Sequence, residues 1–273
     1  MMIGKSVIAR TLGISRGSLY YQSKMEWKDK LVANEVTRIH DEDDDTLGHK
    51  KLSTLLGIGK NRVLRVMRKY ALKARKRSKK YVYRGKSSTV QPNLANQDEY
   101  RLSLDLGIIY SDIFEFRLRD GSIVRGCFAL LKQTRQILSL VFDYCMKATL
   151  VHATINHAQL PSDAVVWHSD QGKQFGAQKT VELVIQKGLL PSMSRAGTPT
   201  DNPFAERFVG TFKHAVVRKQ SYYNLGEFLH EAQKWINFYN NRRPHEGLKQ
   251  LSPNAYAQKY DWPTVLYLAN LTV

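Results

Sequence analysis

The rhythm of apolar and polar positions changes twice along the chain. Residues 4–12, GKSVIARTL, have the pattern of a short helix. Gly13-Ile14 marks a turn, and SRGSLYY over 15–21 starts a second helix with Ser15 as its N-cap. Two short helices about a glycine turn fit a helix-turn-helix, and fit an ordinary helical hairpin equally well. Residues 28–40 predict another helix, with Leu31, Val32, Val36 and Ile39 at helical spacing, ended by the acidic patch Asp41–Asp45. GHKKLSTLL, a Gly-Ile-Gly turn and NRVLRVMRKYAL follow. In the last of these Val63, Leu64, Val66 and Met67 form the apolar stripe, with Arg62, Arg65, Arg68 and Lys69 on the other side. A basic helix behind a glycine turn has the form of a major-groove reader, and a structural helical pair would show the same stripe.

Periodicity is lost over 73–97. KARKRSKK carries Lys73, Arg75, Lys76, Arg77, Lys79 and Lys80, and YVYRGKSSTVQPNLANQ follows it. This reads as a basic linker. From 105 the period becomes two. GIIYSDIFEF alternates as a strand, and 121–131 and 135–145 are further β-rich runs, the first behind an Arg-Asp-Gly hairpin turn. MKATLVHATINHA predicts a helix, Ala164–Trp167 a fourth strand, 176–187 a helix, LLPSMS a fifth short strand, and 203–217 and 225–240 two closing helices. Three consecutive strands and then alternating helix and strand predict a mixed α/β sheet covered by helices. The division expected is a helical region over 1–72, a linker over 73–97, an α/β domain over 98–260 and a tail over 261–273.

Charge changes the picture most. The net charge is +18 over 273 residues, and it is uneven. Residues 1–97 hold 22 Lys+Arg against 8 Asp+Glu, while the remainder is nearly balanced. A polycationic first third attached to a balanced body points to a polyanionic partner, of which nucleic acid is the commonest. No apolar run approaches the roughly 18 residues of a membrane span. The start lacks a signal-peptide pattern, so the expected location is the cytoplasm, in association with the nucleoid. Cys127 and Cys145 form no CxxC pair, which argues against a thiolate zinc site.

Three carboxylates stand out. Period-two alternation puts Tyr110, Asp112, Phe114 and Phe116 on one face of the first strand, and Asp is depleted in strands. Asp170 ends the buried run VVWHSD, where an ionised group costs free energy unless a counter-charge or donors meet it. Glu206 lies on the helix begun by Asn202 as N-cap and Pro203 at the first helical position. Phe204, Phe208 and Phe212 form its apolar stripe, and Glu206, Gly210 and Lys213 run down a neighbouring face. Two strand-borne Asp and one helix-borne Glu are hard oxygen ligands suited to Mg²⁺. A pair of such ions can activate a nucleophile and steady a leaving oxygen in phosphoryl transfer. His168 either lines this site or is a satisfied structural histidine. In FYNNRRPHEGL, Arg242 and Arg243 either end a helix against its dipole or bind phosphate through their forked donors.

The order Asp112, Asp170, Glu206, with 35 residues between the last two, resembles the DDE motif of the retroviral-integrase superfamily. The strings HSDQGKQF, SMSRAGTPTDNPFAERFVGTFK and FYNNRRPHEGLKQLSPNAY are similar to those of the second-frame (OrfB-type) transposases of the insertion sequence three family, over roughly 100–258. LGISRGSLYY and GIGKNRVLRVMRKYAL resemble that family's N-terminal DNA-binding part. The resemblance implies an RNase H-like mixed sheet flanked by helices, preceded by an all-α helix-turn-helix DNA-binding region. It implies Mg²⁺-dependent strand cleavage and joining by two ions, with Mn²⁺ substituting, and catalytic and metal-binding roles for Asp112, Asp170 and Glu206. It implies that Lys213 touches DNA near the site. The expected partners are double-stranded element ends and target DNA, further copies of the chain on that DNA, and a first-frame (OrfA-type) product as fusion or partner. Two departures stand out: Leu131 where the family carries an Asp, and YSDIFEF where it shows Trp-x-Thr-Asp-Ile-Thr. The alternatives are an inactive DNA-binding regulator derived from such a transposase and an RNase H-like nuclease.

Overall fold

The computed structural model describes residues 5–19, 24–43, 45–75, 90–101, 106–196, 198–219 and 222–263. The chain opens with helices α1 (Lys5–Thr11), α2 (Lys24–Asp43), α3 (His49–Leu56) and α4 (Lys60–Lys69), and a short α5 (Asp98–Arg101) precedes the sheet. Then come strands β1 (Gly107–Arg117), β2 (Ile123–Leu131) and β3 (Ile137–Asp143), helix α6 (Ala148–His157), β4 (Ala164–Ser169), α7 (Gln178–Gln186) and β5 (Leu190–Met193). Helices α8 (Pro203–Phe212), α9 (Leu225–Asn241) and α10 (Pro253–Lys259) close the chain.

The five strands form one sheet in the order β3-β2-β1-β4-β5. β1, β2 and β3 pair antiparallel, and β4 and β5 run parallel to β1. Both faces are buried, because helices cover each. One face packs Tyr110, Phe114, Phe128 and Phe142 against Phe208, Phe212, Phe228 and Trp235 from α8 and α9. The other packs Ile109, Ile113, Leu138 and Trp167 against Leu150 and Ile155 of α6 and Val184 of α7. Gly126 is what lets the aromatic layer close: a Cβ there would meet the Phe114 and Phe142 rings at 2.6 and 2.7 Å.

The helical region has its own apolar cluster, from Val32, Val36 and Ile39 of α2 to Val63, Val66 and Met67 of α4, and Phe238 of α9 joins it. Asp43, at the end of α2, accepts from Trp235 Nε1 at 3.1 Å and from Arg243 Nη1. Glu42 pairs with Arg242 at 2.7 Å. The first region is thus docked on α9. Lys76 and Arg77, like most of the basic linker, lie outside the described residues.

Three expectations change. Of the helix expected over 15–21, the described residues form only a 3₁₀ turn, Arg16–Leu19, and 20–21 lie outside them. Helix 203–217 is α-helical to Phe212 and then widens into a π-helical turn, Lys213–Val217. Helix α10 was not expected, although its signal is present: Ser252 caps it, accepting from Ala255 N, with Pro253 at the first position.

Candidate active site

The site is built where β1 and β4 part. The last parallel pair is Tyr110 with His168, whose rings meet edge to face at 5.2 Å. Two residues further along each strand, on the same face by period two, come Asp112 and Asp170. Both are half-buried. Asp112 Oδ1 accepts from Ile113 N at 2.7 Å, and Asp170 Oδ1 from Gly172 N at 3.0 Å. Those donors meet part of the desolvation cost of a half-buried carboxylate, within β1 for Asp112 and just past β4 for Asp170. Gly172 also clears space: a Cβ there would lie 2.9 Å from Asp170 Oδ1.

Helix α8 brings the third carboxylate. Its phenylalanines zip it along the sheet, Phe204 against Tyr110 at 5.0 Å, Phe208 against Phe128 at 4.6 Å and Phe212 against Phe114 at 5.4 Å between ring centroids. Phe128 is the register partner of Asp112. Eight helical residues rise about 12 Å and four strand residues about 13 Å, so helix and strand stay in step. Glu206 therefore lies level with the stretch from Tyr110 to Asp112, on an exposed face of α8. On the same side Lys213 Nζ stands 5.6 Å from the Phe114 ring centroid. Gly210, between them, is exposed, and a Cβ added there meets nothing within 4 Å among the described residues. The protein's own packing does not require glycine at that position.

His168 is fully buried, with Nδ1 2.8 Å from Ser192 Oγ and Nε2 3.0 Å from Ser194 Oγ. Burial pushes its pKa down to about 4. It is a satisfied structural histidine that stiffens β4 just ahead of Asp170. Cys127, beneath the two aspartates on the other face, is held protonated by burial, which lifts its thiol to about 12.

The donor set suits a hard divalent cation, with three carboxylates and neither thiolate nor available imidazole. Among the described residues no three His, Cys, Asp or Glu groups are gathered closely enough to hold a metal as they stand.

Sequence reasoning missed Asp201. Its buried carboxylate accepts from Asn93 Nδ2 at 2.9 Å, Asn96 Nδ2 at 2.7 Å, and Arg195 N and Nε at 2.9 and 3.0 Å. The Arg195 guanidinium holds its pKa below the usual carboxylate range. Asp201 thereby pins the start of α8 to the segment before β1. Asp beside Asn-Pro at a helix start was the available signal, but its partners are far apart in sequence.

The candidate DNA contacts separate by partner. Arg65 donates to both oxygens of buried Asp29 at 2.6 and 2.7 Å, and Lys69 stands 3.6 Å from the same carboxylate. Arg75 donates to His214 O at 2.7 Å and Arg218 O at 3.0 Å. The Arg243 side chain is 3% exposed against Asp43, so as placed it offers a phosphate no surface, whereas that of Arg242 is 45% exposed beside Glu42. Arg62 is half-buried, and Arg68 and Lys73 are exposed.

This five-stranded mixed sheet, with one carboxylate in the middle of β1, a second just past the end of the adjacent β4 and a third on the covering helix, has the RNase H-like fold of an integrase core. The integrase core domain model matches residues 187–253, the stretch that carries Glu206 and Lys213. A putative transposase of Escherichia coli K12, InsK of insertion element IS150, is 26% identical over 94% of this chain and 95% of its own length. The transposase of IS904 from Lactococcus lactis is 25% identical over 88% of this chain and 98% of its own. Among solved structures, the simian T-cell lymphotropic virus intasome in complex with PP2A regulatory subunit B56 gamma has the same fold, at a TM-score of 0.50 and 15% identity over 87% of this chain and 80% of that one. These matches support a transposase of the insertion sequence three family with an integrase catalytic core.

Proposed function

We propose that this chain cleaves and joins DNA strands during transposition of an insertion sequence, with Asp112, Asp170 and Glu206 as its metal-holding catalytic carboxylates. The observation that carries this reading is the placement of Asp112 and Asp170 side by side beyond the last β1–β4 pair, with the Glu206 helix zipped level with them. Mg²⁺, with Mn²⁺ as substitute, would be held by these three groups and would supply Lewis acidity to the scissile phosphate and its attacking oxygen. Glu206 completes the set by turning toward the aspartate pair. Lys213 holds a phosphate of the end DNA beside the site, and the bare strip at Gly210 admits the backbone of the bound strand. The basic first third grips flanking duplex through phosphate contacts that carry no sequence information, and further copies of the chain assemble on the same DNA. A first-frame product, fused or separate, would add end recognition. As an element's transposase the chain acts in the cytoplasm on nucleoid DNA.

The test is strand transfer with pre-cut end DNA. Asp170→Asn and Glu206→Gln keep shape and remove one ligand charge each. Both should retain the fold and DNA binding and lose cleavage and joining, with wild type silent in chelator and restored by Mg²⁺ or Mn²⁺. Normal turnover by either variant would overturn the assignment. Cleavage without any joining would favour the nuclease reading, since hydrolysis and strand transfer differ only in which hydroxyl attacks.

A further inference from the structure

Asn202 has the sequence signature of a helix N-cap, yet it caps nothing: its side chain makes no bond to the first turn of α8. The carboxamide turns instead toward β1, where Nδ2 donates to Ser111 O at 3.4 Å. The direction of that carbonyl follows from strand alternation. Ile108 sends its C=O to Lys132 N and its N–H to Gln133 Oε1, on the β2 side. Ser111, an odd number of residues on, sends its C=O to the β4 side. No β4 residue is left to meet it there, because the β1–β4 ladder stops at Tyr110 and His168. Asn202 thus sits in the fork between the strand that carries Asp112 and the strand that carries Asp170.

Its other amide atom is the unexpected part. Asn202 is 7% exposed, and Oδ1 is buried with no hydrogen-bond partner among the described residues. An unsatisfied buried acceptor costs about 1–3 kcal/mol and asks for a donor. The neighbouring Asp201, fixed by Asn93, Asn96 and Arg195, holds the backbone so that the carboxamide has little freedom to turn away.

We propose that Asn202 is a positioning residue of the active site, its Nδ2 tying the Glu206 helix to the Asp112 strand and its Oδ1 receiving an O–H donor brought between the two aspartates by the bound cation or by the reacting DNA end. This rests on the reading of Asp112 and Asp170 as the catalytic pair. Two sources carry that O–H chemistry, a water of the hydrated cation and the 3′-hydroxyl of the cut strand.

The experiment uses the full chain with Asn202→Ala and Asn202→Ser. Serine caps helices as well as asparagine does but is too short to span the fork. Both variants should melt within a few degrees of wild type and lose at least tenfold in joining rate at saturating end DNA. One of two further changes accompanies the loss. If the donor is a water of the cation, the rise in Tm given by Mn²⁺ alone shrinks in both variants. If it is the 3′-hydroxyl, the preference of wild type for 3′-hydroxyl over 3′-deoxy ends in a binding titration disappears. Restoration of the wild-type rate by Asn202→Ser would make Asn202 a cap and overturn the proposal. So would loss of rate with both the Mn²⁺ shift and the end preference unchanged. Asp170→Asn, run in parallel, separates the two levels: if it is inactive while Asn202→Ala is normal, only this inference fails, and if it is active the site itself was misassigned.

Discussion

Gly172→Ala isolates the placement of one carboxylate from its chemistry. The added Cβ would lie 2.9 Å from Asp170 Oδ1, and ordinary contact begins near 3.4 Å. The carboxylate must therefore withdraw by about 0.5 Å, with stretching of the 3.0 Å bond from Gly172 N. The backbone does not resist the change, because Gly172 is not among the residues at positive φ. Alanine at a compatible position leaves stability within about 1 kcal/mol, and by shrinking unfolded-chain entropy tends to raise it. Catalytic groups tolerate about 0.5 Å of error, and a 1 Å misplacement costs about 10²-fold. The expected loss is thus about tenfold in single-turnover strand transfer, equivalent to about 1.4 kcal/mol in the barrier. Urea unfolding and end-DNA affinity should stay near wild type. A full rate would mean that the Asp170 position is slack, and would remove the argument that Gly172 holds it. A variant destabilised by several kcal/mol would show that the turn, and not the carboxylate, needs glycine.

Three other perturbations read different parts of the molecule. Gly210→Ala should raise stability by up to about 1 kcal/mol, the helical cost of glycine, while weakening end-DNA binding; unchanged affinity would mean that no strand passes over that strip. Arg243→Ala strands buried Asp43 and should cost about 3–5 kcal/mol in urea unfolding, whereas Arg242→Ala, a half-exposed partner of Glu42, should cost less than about 1 kcal/mol; equal small effects would return Arg243 to the list of phosphate ligands. Burial, and then the charges of Arg243, Lys51 and Arg135, hold the pKa of His245 well below 6.5. Its neutral form is therefore favoured by folding, so its contribution to stability is whole above pH 6.5 and is lost as pH falls below it. Urea midpoints at pH 7.5 and 5.5 should show that loss, reduced in His245→Gln, and identical pH dependence in the variant would contradict it.

The two aspartates were legible because a strand has a fixed period. Alternation from Tyr110 through Phe114 assigns Asp112 to a face without knowledge of what covers it, and the apolar run before Asp170 marks a strand end. The level of Glu206 was not legible. It depends on which sheet aromatic each of Phe204, Phe208 and Phe212 meets, and Phe128 reaches its place only through the β1–β2 register. Asn202 holds the N-cap position expected of it, but the work of its side chain was not legible, for a related reason. A helix-start signature states what a side chain does when nothing competes for it, and here the end of the β1–β4 ladder presents a carbonyl in greater need of a donor. Asp201 draws its partners from 93, 96 and 195, separations that no local pattern reports.

Charge shows where such reading holds and where it fails. Net charge is a sum and is indifferent to pairing, so the surplus of basic residues in 1–97 survives every contact in the structure. An ion pair with an internal acid removes one charge of each sign from the long-range field and leaves the balance as it was. The role of a single arginine depends wholly on that pairing. Asp29 takes Arg65, Glu42 takes Arg242 and Asp43 takes Arg243, so acids near the start and end of one helix occupy three of the residues that looked most like phosphate ligands. Of the candidate DNA contacts in this region, Arg68 and Lys73 are exposed. Contacts of that kind give affinity that falls with salt and discriminates little between sequences. Selectivity for element ends must then come from groups that meet base edges, and the Asp29 clasp leaves Arg65 able to do so only by giving up two short bonds to a buried carboxylate.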